Sequence, residues 1–147
     1  MVAMGDGSFK KIGELSRGDV VKTGEHELAK GPVTRVYQLD SDNVMRFRLG
    51  EIDRGPVAER ELLVTGEHRL WSESRGWVAA SEVETGEVLS GGQGSSLKVL
   101  AIEAVEGVHQ VFTLDVEGDN AFYAGGVLVQ DLCGGLYLPE ALQEENK

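Results

Sequence analysis

One pattern of the chain returns a second time. Ser8–Val20 reappears, in outline, as Gly76–Val88. Gly18 and Gly86 lie 68 residues apart, and Phe9/Trp77, Glu14/Glu82, Leu15/Val83 and Val20/Val88 fall at the same offset. Each copy reads as an aromatic anchor, a short polar turn, a Leu or Val, and a Gly-acid-Val step into a strand. The glycine permits the backbone turn and the acid keeps the loop in water. Two related halves predict a β-fold with a pseudo-twofold axis.

The rest of the chain is consistent with that. Helical periodicity is scarce, and short runs rich in Val, Leu and aromatics are broken by Gly, Asp, Asn and Ser. This pattern predicts an all-β domain of many short strands. The expected strands are Val20–Thr23, Val33–Leu39, Val44–Leu49, Arg60–Thr65, Trp77–Ala79, Glu87–Leu89, Leu97–Ala104, Gln110–Val116, Ala121–Ala124 and Val127–Gln130. Loops are expected at Gly24–Pro32, Gly50–Val57 and Ser90–Ser96, the last flexible by its Gly and Ser content. Twenty glycines among 147 residues are roughly twice ordinary usage and serve turns. The length fits one domain, and 41% hydrophobic residues allow a core.

Charge and cysteine usage exclude several functions. Fourteen basic against 25 acidic residues give a net charge of −11, which argues against a nucleic-acid phosphate binder. The single Cys excludes an internal disulfide framework and a cysteine-based zinc cage. No apolar run approaches the ~18 residues of a membrane span, and no signal peptide opens the chain. His68, His26 and His109 with Cys133 have no ligand spacing, so no metal or cofactor is expected.

The densest chemical signal is Leu62-Leu63-Val64-Thr65-Gly66-Glu67-His68. A strand delivers Thr65, and a tight turn brings His68 to the same place three residues later. A hydroxyl and an imidazole so placed can hydrogen-bond a peptide group and protonate its nitrogen. Around them stand Asp6-Gly7-Ser8, Leu15-Ser16-Arg17-Gly18-Asp19-Val20, Gly76-Trp77-Val78, Val111–Gly118, Phe122-Tyr123 and Gly125-Gly126-Val127-Leu128-Val129. Six motifs in this order resemble the Hint family, the Hedgehog/intein autoprocessing domains, over about residues 2–131.

The resemblance implies an all-β, Hint-type horseshoe with pseudo-twofold repeat over residues 1–131, followed by a tail, 132–147, that flexes or forms one or two helical turns after Pro139. It implies a single-turnover, self-acting chemistry. A Cys at the domain's first position attacks the preceding carbonyl and converts that peptide bond to a thioester, while Thr65 and His68 distort and protonate the scissile amide. The substrate is the chain's own flanking polypeptide. No nucleic acid, membrane or second subunit is expected.

At the other family positions the chain departs from the pattern. The nucleophilic Cys would lie about nine residues before Met4. Gln130 and Asp131 stand where a terminal His-Asn closes the family pattern. Gln cannot titrate, and the Asp131 side chain has no amide nitrogen with which to form a succinimide. Asn120 falls where many members carry a His, and Thr113 where some carry Asp or Cys. Cys133, the only thiol, is separated from Asp131 by Leu132, and one residue of offset reverses side-chain direction on a strand. The expectation is an intein-like self-processing domain with impaired or absent activity. The alternatives are a catalytically dead Hint-fold scaffold or interaction module, and an unrelated Gly-rich β-sandwich. His26 and His109 are expected in solvated turns, and Trp77, Phe122 and Tyr123 in the core.

Overall fold

The computed structural model describes residues 1–24, 28–52, 59–118, 120–131 and 138–139, with the backbone alone at 93, 138 and 139. His26, Cys133 and the tail expected to form a helical turn after Pro139 lie outside the described residues.

Among the described residues fourteen strands account for the fold: β1 (Val2–Ala3), β2 (Phe9–Lys10), β3 (Val20–Lys22), β4 (Lys30–Ser41), β5 (Val44–Glu51), β6 (Glu59–Thr65), β7 (Arg69–Ser72), β8 (Gly76–Ala79), β9 (Val88–Ser90), β10 (Ser96–Val105), β11 (His109–Val116), β12 (Ala121–Ala124), β13 (Val127–Gln130) and β14 (Leu138–Pro139). Among the described residues the only helical elements are three 3-10 turns, at Ile12–Glu14, Ala80–Glu82 and Gly92–Gly94. Among the described residues no helix is long and apolar enough to cross a membrane. The strands form a strongly curled, ten-stranded sheet in the order β2-β1-β12-β13-β7-β9-β10-β5-β6, with β8 on β7, and a four-stranded sheet, β14-β11-β4-β3.

The repeat seen in the sequence is present in the backbone hydrogen bonds. Gly18 N–H donates to Val33 O at 2.8 Å and Val33 N–H returns to Asp19 O at 2.7 Å. In the second half Gly86 donates to Val99 O at 2.7 Å and Val99 to Glu87 O at 2.9 Å. Both glycines have positive φ, +98° and +94°, a conformation that costs a residue with a Cβ. The 3-10 turns at Ile12–Glu14 and Ala80–Glu82 are offset by the same 68 residues. Even the irregularities repeat. Thr34 is an extra residue on β4 opposite β11, and Leu100 is the extra residue on β10 opposite β5. Each bulge bends its long strand, which is how a flat ladder becomes a curled one.

The halves exchange strands. β4 of the first pairs β11 of the second, and β10 of the second pairs β5 of the first, both antiparallel. The alternating pattern of β5 turns Phe47 and Leu49 inward, where they meet Leu62, Leu97, Val99, Leu114 and Phe122 in the core, while Val44, on the other face, is buried with Leu63 and Val111 in a second, smaller cluster.

Differences from the sequence expectation have local causes. β4 begins at Lys30, inside the expected Gly24–Pro32 loop, because Lys30–Pro32 ladder with β3. The Ser90–Ser96 stretch is a structured turn. Gly91 N–H bonds Ser95 O at 2.8 Å, Ser95 Oγ bonds Gly92 O at 2.7 Å, and Gly91 bridges to Val127. β1, β2, β7 and β14 are too short, or too polar, to announce themselves by periodicity. Phe9 is not an anchor: it is 63% exposed. Its counterpart Trp77 stacks edge-on against Trp71, centroids 5.2 Å apart, but the residue opposite Phe9 on β1 is Ala3, too small to cover a ring. Phe122 and Tyr123 are buried as expected. His109 is only partly exposed, and its Nε2 lies 2.8 Å from Glu106 O.

The acidic turn residues are also more than solvated loop charges. Glu87 accepts from Arg75 Nε and Nη2 at 2.9 and 2.8 Å, from Ser72 Oγ at 2.6 Å and from Glu84 N at 3.1 Å. The Arg75 guanidinium, aided by Ser72 and the Glu84 amide against the cost of burial, holds the Glu87 carboxyl at about 2.

Gly18→Ala and Gly86→Ala each meet open space but a strained backbone. Each should lower stability by about 1–2 kcal/mol, read from the urea midpoint. Glu87→Gln tests the carboxylate. With the folded pKa about 2 against an ordinary 4.5, the carboxylate stabilises fully above 4.5, and that contribution is lost as pH falls toward 2. The variant should trail the parent by about 2 kcal/mol at neutral pH, a figure already reduced for the half-exposed Arg75. The gap should close in urea melts at acid pH.

Candidate functional site

The T-x-x-H segment forms where three pieces of chain meet. β6 ends at Thr65, which is opposite Val44 of β5. The turn closes with His68 N–H donating to Thr65 O at 3.0 Å, and β7 starts at the next residue. Gly66 allows this turn to press on the β4–β5 hairpin. It donates to Asn43 O at 3.0 Å, and a Cβ there would sit 2.8 Å from Asn43 Nδ2. From the other side, Ala80 N–H bonds His68 O at 2.7 Å and Ser81 N–H bonds Gly66 O at 2.8 Å. The turn is therefore clamped between the hairpin and the second 3-10 turn. Thr65 is 5% exposed and His68 fully buried.

Asp131 arrives from the far end of the chain. β13 pairs β7 antiparallel with Val129 opposite Leu70. Continuing that register two residues brings Asp131 level with His68. Side chains alternate along both strands. Val127, Val129 and Asp131 are buried on one, and His68, Leu70 and Ser72 on the other. Both positions thus face the same interior. Asp131 N–H donates to Asn120 O at 3.0 Å, and its Oδ2 accepts from Val116 N–H at 3.2 Å. Val116 is free to make this bond because it lies beside the β4–β11 bulge, where the ladder is interrupted.

The remaining sequence candidates separate into two kinds. Thr113 is fully buried on β11, opposite Tyr37, and its Oγ1 has no hydrogen-bond partner among the described residues. Gln130 is partly buried, and its Oε1 likewise has none. Asn120 is exposed, with φ +58°, a left-handed conformation that Asn adopts more readily than most residues. Its contribution here is a backbone carbonyl that holds Asp131. Cys133 lies outside the described residues. No group of three His, Cys, Asp or Glu side chains able to hold a metal occurs among the described residues.

Sequence reasoning missed Asn43 and the Val116 amide. The first had a trace in Gly66, since a glycine inside a strand-to-turn step marks a close approach. The second had none, because it depends on a bulge between residues distant in the chain.

The arrangement offers a buried imidazole level with a buried carboxyl, and a threonine hydroxyl in the same turn as the imidazole. Such a site can hold and protonate a peptide nitrogen, and gives fixed dipoles more weight than they have in water. The isolated Thr113 hydroxyl adds no such bond. Replacing it with the isosteric Thr113→Val removes a buried, unsatisfied polar group and should raise stability by about 1 kcal/mol, measured by urea denaturation.

No protein-family model and no curated protein sequence matches the chain. Solved structures do. A bacterial intein-like domain from Clostridium thermocellum superimposes with a TM-score of 0.71 at 19% identity, over 89% of this chain and 94% of that one. The gp41-1 intein gives 0.68 at 21% identity over 88% and 92%, and a DnaB intein from Synechocystis gives 0.65 at 19% over 88% and 92%. Together with the repeat and the strand exchange, these likenesses show that the chain has the all-β Hint fold of the intein structures it matches.

Proposed function

We propose that this chain is a self-processing domain whose substrate is the polypeptide joined to it. The observation that carries the reading is the burial of Thr65 and His68 in one clamped turn, level with Asp131 at the end of β13. A histidine that serves only as a polar residue has no need of a turn held by hydrogen bonds from two sides.

In this reading an upstream thiol, about nine residues before Met4, attacks the carbonyl carbon of the residue before it. A C–S bond forms and the C–N bond breaks. The Thr65 hydroxyl holds the amide, and His68 delivers the proton that lets the nitrogen leave as an amine. Water or an added thiol then takes the thioester. The second half of splicing is impaired. It would need an amide nitrogen at position 131 to close a succinimide, and the Asp131 carboxyl offers only an anhydride. Gln130 cannot relay the proton that a His would. Cys133 is one residue out of step to receive the transferred chain.

A second reading has its own support. Thr113 Oγ1 and Gln130 Oε1 are buried without partners among the described residues, as in a site that has lost its chemistry and persists as a spacer or docking module. The residue nine places before Met4 in the parent protein discriminates between them: Cys or Ser favours chemistry, and any other residue the scaffold.

The test uses the chain preceded by its natural upstream segment. With dithiothreitol added, mass spectrometry should show a break before the upstream Cys and no spliced product. His68→Ala should slow the break by about 10²–10⁴-fold, the usual worth of a positioned general acid. A chain that stays whole for days in thiol, with or without His68, overturns the proposal.

A further inference from the structure

Thr65 also borders a cavity of about 400 Å³, at the surface between the β4–β5 and β10–β11 hairpins. Its walls include Leu39, Val108 and the buried Val111. Leu39 is 43% and Val108 67% exposed, so the apolar surface here stands uncovered. Asp40, Asp42 and Glu67 also line it. Some acids of this chain are matched by cations: Asp19 by Lys10, Glu51 by Arg60, Glu61 and Glu103 by Arg46, Glu87 by Arg75. These three carboxylates have no ion pair among the described residues. The Thr65 side chain, 95% buried at the cavity's inner end, has its hydroxyl without a hydrogen bond among the described residues.

We propose that this cavity seats a cationic side chain, Lys or Arg, of the polypeptide just upstream of the scissile bond. The inference rests on the self-processing reading and adds a substrate preference to it. A peptide bond held at the Thr65 hydroxyl places a neighbouring side chain within reach of the cavity. A long cationic side chain fits both of its surfaces. The alkyl stem covers Leu39, Val108 and Val111, and the charged head lies among Asp40, Asp42 and Glu67. An acidic side chain would be repelled, and an aliphatic one would leave the carboxylates unanswered. The cavity's volume is at the small end of the ~300–1,000 Å³ of ligand pockets, enough for one or two side chains and not for a folded partner.

The experiment needs no cleavage. The isotope-labelled 147-residue chain is titrated by NMR with acetylated tripeptide amides Ala-Ala-Arg, Ala-Ala-Leu and Ala-Ala-Glu at low salt. The Arg peptide should shift the amide signals of Thr65, Glu67 and Val108 and bind at least about fivefold more tightly than the Leu peptide, as expected for solvent-screened pairs. The double substitution Asp40→Asn with Asp42→Asn should remove that advantage and leave the Leu peptide unchanged, and 0.5 M salt should act in the same direction. An Arg peptide that binds no better than Leu, that binds nowhere near Thr65, or whose advantage survives the double substitution overturns the proposal. If the Arg preference holds and the upstream fusion never cleaves, the self-processing reading fails while the cation site stands. If the fusion cleaves and no peptide discriminates, the reverse is true.

Discussion

The exchange of strands between the two halves is the constraint on which everything else in this molecule depends. β4 has no partner of its own half on one side and takes β11; β10 takes β5 in return. The contacts join residues as far apart as Val33 and Val116, or Val44 and Val105, so the chain must close long loops before either exchanged ladder forms. What offsets that entropy is apolar burial along the exchanged strands. Phe47, Leu49, Leu97, Val99 and Leu114 are fully buried, each worth about 1.5–3 kcal/mol. Neither half can complete its core alone. The Thr65–His68 turn closes the first half and Asp131 closes the second. Their meeting, through Val129 opposite Leu70, follows from the interlock and needs no separate device.

Where the halves agree, the residues serve the fold; where they differ, they serve a local purpose. Gly18 and Gly86 do the same work by the same conformation. Asp19 accepts from Ser16 N–H at 3.0 Å and pairs with Lys10, while Glu87 accepts from Glu84 N–H and pairs with Arg75. The role is conserved between copies and only the side-chain length changes. The extra residues Thr34 and Leu100 bend the two long strands at equivalent points. One of these bends has an additional effect: it leaves the Val116 amide facing Asp131. A structural feature repeated for curvature thus supplies, in one copy only, a donor to the candidate site.

This division explains what could be read from the sequence. The ten strands expected from apolar runs are all present, because a half-buried strand must alternate or cluster its side chains. Ala121–Ala124 and Val127–Gln130 match to the residue. β1 and β2 escaped because two residues carry no period, and β7 because Arg69 and Ser72 leave it no apolar run. The Gly91–Ser95 turn escaped because glycine and serine suit a tight hydrogen-bonded turn as well as a flexible linker. Within the site, Thr65 and His68 were legible from spacing and context. That Asp131 would lie level with His68 could be anticipated only through the fold the motifs resemble, since no local signal links positions 63 residues apart. Phe9 misled for the converse reason. An aromatic at the repeat position is an anchor only if its cross-strand neighbour can cover it, and Ala3 cannot.

The same geometry bears on why position 131 is an acid. Val116 N–H donates to one carboxyl oxygen of Asp131, and the Asp131 N–H donates to Asn120 O. An asparagine has the same shape and an oxygen in the same place, so this hydrogen bond would accept either residue. What separates them is chemical: the amide carries a nitrogen able to attack the chain's own carbonyl, and the carboxyl does not. Gln130 differs from histidine in the same manner, keeping a polar planar group and losing the titratable one. In the proposed reading both differences from the family pattern bear on reactivity, at positions whose backbone pairing, Ala121 with Gln130 and Asn120 with Asp131, is indifferent to the side chain. Thr65 and His68 are held differently. Their turn is clamped at Asn43, Ala80 and Ser81, so its geometry persists whatever the end of β13 carries. Under the self-processing proposal, the first and last chemical steps thus depend on different parts of one interlocked sheet, and a change at one leaves the geometry of the other in place.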